Sequence, residues 1–265
     1  MTGGDQSKVI PRRYRGRVIF GFAYARMLAS DSHAPGSVDQ VLTDKMVLLC
    51  DATAPLLYST YTPLDVRYQR DQRPTLERFI AAFGVTSAEE LVGAVTGFCA
   101  AVADRAPDGL DALRLGGTEE QIIERGSDWC TDLARVACAL CQVAGLPARL
   151  VYLADTAQAY SGHTLIEVYR ARRWGACDPT YNVVYRHHDG TPASTWEIQR
   201  DPVLLEAHKQ FRSAAIANYY VWDRDQYDYT VSSLNAYYQT ILEQAQRGWP
   251  GGLRWLHGED LPATR

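Results

Sequence analysis

Apolar residues between positions 129 and 144 recur at helical spacing. Leu133, Val136, Ala137, Leu140, Cys141 and Ala144 follow i, i+3, i+4, i+7 intervals, which puts them on one buried stripe of a helix. Gly145 and Pro147 end that helix, since glycine accepts a left-handed cap and proline cannot continue the hydrogen-bond ladder. Short apolar runs follow. ARLVYLA at 148–154, HTLIEVYR at 163–170 and WGACD at 174–178 predict three strands, the last two joined by an Arg-rich turn. Upstream, PTLERFIAAF at 74–83 predicts a helix with Pro74 in its first turn and Gly84 as its stop. A second helix is predicted over 87–105. Ser87 serves as its N-cap and Glu90 completes a capping box. TEEQIIER at 118–125 reads as a short third helix. Beyond Asp189 a helical pattern runs from Thr195 to about Ala217. A Tyr-rich segment, NYYVWDRDQYDYT, and a last helix, VSSLNAYYQTILEQAQR, come after it.

Helices first, then a helix entering an antiparallel sheet, then more helices: this order predicts an α+β class rather than alternating βαβ units. The expected organisation is a mainly helical N-terminal addition over 1–110, a core over 111–190, and a helical, Tyr-rich C-terminal addition over 191–265. The three are expected to pack as one structural domain. Residues 1–15 are polar and Arg-rich, an arm or an edge segment. Residues 16–66 carry the apolar runs Val18–Ala25 and Val47–Cys50, interrupted by Pro55 and Pro63.

Composition narrows the function classes. A net charge of −4 argues against a nucleic-acid binder, which carries a basic surplus. With 265 residues the chain can bury a core without disulfide staples. Of six cysteines, Cys99, Cys138 and Cys141 lie in apolar helical patterns, so free buried thiols and a reducing, cytoplasmic setting are expected. Val18–Ala25 follows a basic stretch in the manner of an export signal, but Arg26 interrupts a short run. No run reaches the roughly 18 apolar residues of a membrane span, so no membrane partner is expected.

One cysteine is placed for chemistry. Only the thiolate attacks a carbonyl, so a catalytic cysteine needs surroundings that lower its pKa. With Ser127 or Asp128 as N-cap of a 129–144 helix, Cys130 falls in the first turn, where backbone N–H groups and the helix dipole favour negative charge. An imidazole partner must come from elsewhere in the chain. His163 opens one predicted strand and Asp178 ends the next, so a hairpin would set them side by side. A carboxylate there would orient the ring and stabilise its cation.

The stretch CTDLARVACALCQVAGLPAR resembles the cysteine block of the transglutaminase-like superfamily. In that block Asp and Ala follow the Cys by two and four residues, and Gly-(Ile/Leu)-Pro-Ala-Arg begins fifteen residues after it. Asp132, Ala134, Gly145, Leu146, Pro147, Ala148 and Arg149 fit. HTLIEVY resembles the His block, usually His-Ala-Trp-Val-Glu-Val. Glu167 and Val168 fit, while Thr164 and Leu165 replace the small residue and the Trp. Trp174, Asp178, Pro179 and Thr180 match the Asp block. The resemblance spans roughly residues 115–185, as three ordered blocks. It implies a papain-like core, in which a helix with an N-terminal Cys packs on a small antiparallel sheet. It also implies a Cys130–His163–Asp178 triad and acyl-enzyme chemistry. Transglutaminases, peptide N-glycanases, peptidases and amide-forming biosynthetic enzymes share the pattern, so it does not fix one reaction.

The expected activity is therefore cysteine-dependent acyl transfer through a thioester, hydrolysing or forming an amide on a peptide or small-molecule acyl donor, with an amine as the acceptor in the transfer case. The alternative is a catalytically silent scaffold of the same fold. No metal or organic cofactor is expected, and no acidic loop suggests calcium. Trp129 either contacts substrate, lining the acyl pocket or donating to an oxyanion, or serves as a hydrophobic staple. Cys138 and Cys141 form a C-x₂-C, but inside an apolar helix without a second ligand pair, so they read as core thiols rather than zinc ligands. Cys177 alternates away from Asp178 and reads as core. His187 and His188 read as solvated, and Glu167 as a supporting residue. Tyr219, Tyr220, Trp222, Tyr227 and Tyr229 read as packing rather than a binding wall.

Overall fold

The computed structural model describes residues 46–51, 53–58, 68–107, 117–155, 160–207 and 216–218. In chain order its elements are β1 (Met46–Leu48), α1 (Ala54–Leu57), α2 (Pro74–Phe83), α3 (Ala88–Ala103), α4 (Glu119–Arg125) and α5 (Cys130–Val143). These are followed by β2 (Ala148–Asp155), β3 (Tyr160–Arg170), β4 (Arg173–Asp178), β5 (Val183–Val184), α6 (Thr195–Arg200), α7 (Pro202–Ala207) and β6 (Ile216–Asn218).

Local signals set most of the helix ends. Ser87 and Thr118 each form a full capping box, with Glu90 and Gln121 respectively. Helix α5 closes in a Schellman arrangement around left-handed Gly145 (φ 84°). There the Leu146 N–H donates to the Cys141 carbonyl and the Gly145 N–H to that of Gln142, both at 2.9 Å. Strands β3 and β4 meet in a two-residue hairpin whose central residues, Ala171 and Arg172, both have positive φ (49° and 62°). That geometry suits the twist of antiparallel strands.

The sheet is six-stranded and antiparallel, in the order β1-β6-β2-β3-β4-β5. Its register pairs Leu150 with Ile166, and Ile166 with Cys177. Side-chain alternation then gives each strand two apolar faces. Ala148, Leu150, Ile166, Val168 and Cys177 pack with α5 through Leu133, Val136, Ala137 and Leu140, and α3 and α4 complete that cluster. Val151, Leu153, Leu165 and Ala176 face the other way, against Leu49, Leu57, Tyr185, Ile198 and Leu204. The class is α+β, as the order of patterns predicts, with the papain-like core that the family resemblance implies.

Two charges lie in that second layer. Arg149 and Glu167 are direct register partners on β2 and β3, and both are fully buried. Arg149 Nε donates to Glu167 Oε2 (2.7 Å) and its Nη1 to the Leu57 carbonyl (2.9 Å). Glu167 Oε1 accepts from the Tyr58 hydroxyl (2.8 Å) and the Thr195 N–H (2.7 Å). The guanidinium lies 4.1 Å from the Trp174 ring centroid and 4.7 Å from that of Tyr58.

Some elements differ from the sequence reading. The helix expected from Thr195 to about Ala217 is broken at Asp201, which is extended (φ −103°, ψ 107°) ahead of Pro202. Proline crowds the residue before it out of the helical region. Ile216–Asn218 is a strand, placed between β1 and β2. Met46–Leu48, within the stretch before residue 110, joins the sheet as well. The Arg-rich arm, the Val18–Ala25 run, the Tyr-rich segment from Tyr219 and the last helix lie outside the described residues. Among the described residues no single helix is long and apolar enough to cross a membrane.

Arg149→Met should leave the Glu167 carboxylate buried without its cation. We expect a loss of about 3–5 kcal/mol in denaturant unfolding, the usual cost of breaking a buried pair from one side. Arg149→Met combined with Glu167→Leu should recover a large part of it. An unchanged unfolding midpoint in the single variant would contradict this account.

Candidate active site

The loop into α5 is fixed before the helix starts. Gly126 has φ 82°, and a Cβ there would lie 2.4 Å from the backbone carbonyl carbon of Arg105, so only glycine lets the chain pass the end of α3 so closely. Ser127 and Asp132 are both fully buried. The Ser127 hydroxyl donates to Asp132 Oδ2 (2.9 Å), Arg125 Nη2 donates to the same oxygen (3.0 Å), and the Trp129 N–H donates to Ser127 Oγ (3.3 Å). These bonds correct the cap assignment. Ser127 is committed to Asp132 and Asp128 is exposed, so Trp129 becomes the N-cap residue without a side-chain cap. Cys130 is thus the first helical residue, at the positive end of the helix dipole.

His163 sits on β3 next to an irregularity. The β2–β3 register shifts between Leu153 and Ala154, so His163 pairs with Leu153 while Ser161 pairs with Ala154. Such a bulge re-aims the side chain beside it. Asp178 is the last residue of β4 and is fully buried. Its Oδ2 lies 2.6 Å from His163 Nε2. Its Oδ1 accepts from the N–H groups of Thr180 (3.0 Å) and Tyr181 (3.2 Å), and the Tyr185 hydroxyl donates to Oδ2 at 3.4 Å. With Nε2 engaged by Asp178, Nδ1 is the ring nitrogen left for Cys130, whose thiol the nearby imidazole lowers. The structure therefore brings Cys130, His163 and Asp178 together, from a helix N-terminus and two neighbouring strands.

Electrostatics follow from these contacts. Burial by itself pushes the Cys130 thiol up. The hydrogen bond and charge of His163, with the backbone and hydroxyl of Thr164, outweigh it and hold the thiol below its ordinary value. Burial likewise opposes charge on His163, but the bonds to Asp178 and Cys130 raise it to about 10. Around neutral pH the arrangement favours a thiolate–imidazolium pair. Tyr181 covers one side, its ring centroid 5.2 Å from that of His163 while 56% of the residue stays exposed.

The other singled-out residues fall elsewhere. Trp129 is only 9% exposed and packs in the α5 core cluster. Cys138 and Cys141 lie in the same cluster, where burial drives both thiols well up. Cys177 faces α5, and burial raises its thiol to about 11. His187 is half-buried, 3.3 Å from Arg173, and His188 is exposed. Glu167 belongs to the buried ion pair. Among the described residues no group of three or more His, Cys, Asp or Glu side chains is placed to hold a metal. Sequence reasoning missed Thr164, Tyr181 and Tyr185. Thr164 stood out only as a departure from a small residue, and neither tyrosine carried a signal beyond its place after the Asp block.

Residues 111–179 match the family model described as the transglutaminase-like superfamily, a span that contains all three grouped residues. No curated protein and no solved structure matches the chain.

Cys130 should react with iodoacetamide far faster than Cys138 or Cys141 in the folded protein. Its rate should fall only as pH drops through its lowered value, below the ordinary thiol range of about 8.5. Mass mapping of alkylated peptides across pH checks this. Equal labelling of the three cysteines would remove Cys130 from the site.

Proposed function

Because the chain carries a transglutaminase-like domain, we propose that it is a cysteine enzyme of acyl transfer, with Cys130 as nucleophile, His163 as acid and base, and Asp178 as the group that orients the imidazole. The carrying observation is the 2.6 Å link between His163 and Asp178, with Cys130 as the first residue of α5 and its thiol lowered by that imidazole. A carboxylate on Nε2 fixes the ring so that Nδ1 serves the sulfur.

The cycle balances as follows. The Cys130 thiolate attacks the carbonyl carbon of an amide or ester, and the carbonyl π electrons move to oxygen. The backbone N–H of Cys130, at the helix N-terminus, is one donor for that oxyanion. The tetrahedral centre collapses to a thioester, and the leaving amine takes a proton from His163. The neutral ring then accepts a proton from water or an amine as it attacks the thioester. The thiolate leaves and the acid or a new amide is released.

We read the donor as one peptide or small acyl compound and water as the favoured acceptor, since water needs no second binding site. The long segments on either side of the core support a narrow site rather than an open protein-surface cleft. A cytoplasmic enzyme free of metal or organic cofactor fits this reading.

Cys130→Ala should abolish turnover of any accepted thioester or amide donor, and intact mass should show an acyl adduct on the wild-type chain only. Asp178→Asn should fold and lower kcat/KM by about 10²–10³. That is less than the roughly 10⁴ seen when a serine triad loses its carboxylate, because a thiolate is already formed. In the wild type kcat/KM should rise with pH through the Cys130 thiol and fall again as His163 loses its proton near 10. Full activity in folded Asp178→Asn would exclude Asp178, and turnover by Cys130→Ala would exclude the mechanism.

A further inference from the structure

Tyr185 is the first residue after β5. Its N–H donates to the Ala176 carbonyl, and its own carbonyl accepts from the Ala193 N–H, both at 3.1 Å. The first bond continues the β4–β5 register, in which Asp178 stands opposite Val183, so Tyr185 shares a face with Ala176 and Asp178. The residue is fully buried in the second apolar layer, with Leu153, Leu165 and Ala176. From there its hydroxyl reaches Asp178 Oδ2 at 3.4 Å, the same oxygen that lies 2.6 Å from His163 Nε2.

Two groups thus share one carboxylate oxygen. An ionised carboxylate only accepts, so the phenol is the donor in its contact. It keeps its proton, because burial and the Asp178 charge push it well above the ordinary tyrosine range; Cys177 and Tyr181 are its other titratable neighbours. A donor on a carboxylate stabilises the negative charge and weakens its pull on a neighbouring cation. Among the described residues the titratable groups facing the imidazole are Asp178 from β4, Cys130 from α5 and Tyr181 from the β4–β5 turn. Acylation removes the Cys130 charge. The pull of Asp178, as moderated by Tyr185, then decides how readily the ring gives up its Nδ1 proton and becomes able to accept another.

We propose that Tyr185 is a positioning residue whose hydroxyl, held on Asp178 Oδ2, tempers that carboxylate and so sets the pH at which His163 serves as base on the acyl-enzyme. This role rests on the acyl-transfer reading given above. The step it governs is deacylation. His163 takes a proton from water, the water oxygen bonds to the thioester carbon, and the C–S bond breaks with its electrons on the Cys130 sulfur.

The test acetylates the full-length chain with p-nitrophenyl acetate, maps the adduct to Cys130 by peptide mass, and follows its loss by intact mass across pH. In the wild type the rate of loss should rise with pH as His163 becomes neutral. Tyr185→Phe keeps the ring in its apolar surroundings and removes only the hydroxyl. Its rate limb should move up by about half a pH unit, a fraction of the effect of a direct hydrogen bond to a charged group, since the contact is long and acts through Asp178. Deacetylation on the acid side of the limb should then be about threefold slower. Replacing Tyr185 by 3-fluorotyrosine, a more acidic phenol and a stronger donor, should move the limb down, which a packing role would not do. That replacement carries the test alone if Tyr185→Phe does not fold. A wild-type chain that takes no acetyl group on Cys130, or loses it without a pH limb, would overturn the acyl-transfer reading itself. A wild-type limb left in place or lowered by Tyr185→Phe, or not lowered by 3-fluorotyrosine, would overturn only the role of Tyr185.

Discussion

The structure depends most on the Arg149–Glu167 pair inside the second apolar layer. Burying two charges costs several kcal/mol per ion and is tolerated only where each finds a full set of partners. Here the partners come from separate pieces of chain: the Leu57 carbonyl and Tyr58 hydroxyl from the α1 segment, the Thr195 N–H from α6, and the Trp174 ring from β4. The pair therefore ties the flanking segments to the sheet, and it also sets register. Glu167 stands opposite Arg149 on one side and Ala176 on the other. His163 is on the same face as Glu167, two alternations earlier, and Asp178 is one alternation beyond Ala176. A slip of one residue would turn His163 to the opposite face and break its 2.6 Å bond to Asp178. A structural ion pair thus fixes the geometry of the His163–Asp178 pair.

The helix side has its own anchors. Asp132 is bound by Ser127 and Arg125, and Arg135 donates to Glu119 at 2.9 Å and to the Gly117 carbonyl at 2.7 Å. Glu119 in turn accepts from Arg73 at 3.0 Å. These buried polar links hold the start of α5 to α4 and to the residue preceding α2. Together with the close pass at Gly126, they define where the first turn, and hence Cys130, lies. Apolar packing along α5 alone would leave the helix free to slide; directional bonds at its start do not.

What could be read from sequence follows from how local each signal is. Helices α2 to α5 and strands β2 to β4 carry their own periodicity, caps and turn residues, and their bounds match within a few residues. Cys130, His163 and Asp178 were visible because one helix start and one hairpin bring them together without long-range guesswork. Strands β1, β5 and β6 have three, two and three residues. They are too short for alternation to show; β1 and β6 become strands only by pairing with distant segments, and β5 by turning back onto β4. The N-cap assignment failed because it depended on whether Ser127 would serve the helix backbone or Asp132, a competition settled in three dimensions.

The charges at the site connect the two halves of the proposed reaction. With thiolate, imidazolium and carboxylate all in place, the cluster carries a net negative charge in largely buried surroundings. Donors surround the carboxylate accordingly: the Thr180 N–H, the Tyr181 N–H and the Tyr185 hydroxyl. His163 is held up to about 10 by two anions, Asp178 and the Cys130 thiolate. Acylation of the sulfur removes one of them. Burial still penalises the imidazolium, and only Asp178 remains to favour it, so the ring of the acyl-enzyme gives up its proton more readily than that of the free enzyme. The leaving amine receives that proton, and the neutral ring is then the base that a water or amine needs. Forming the thioester in this way converts His163 from an acid partner into a base, with no rearrangement of the groups that hold it.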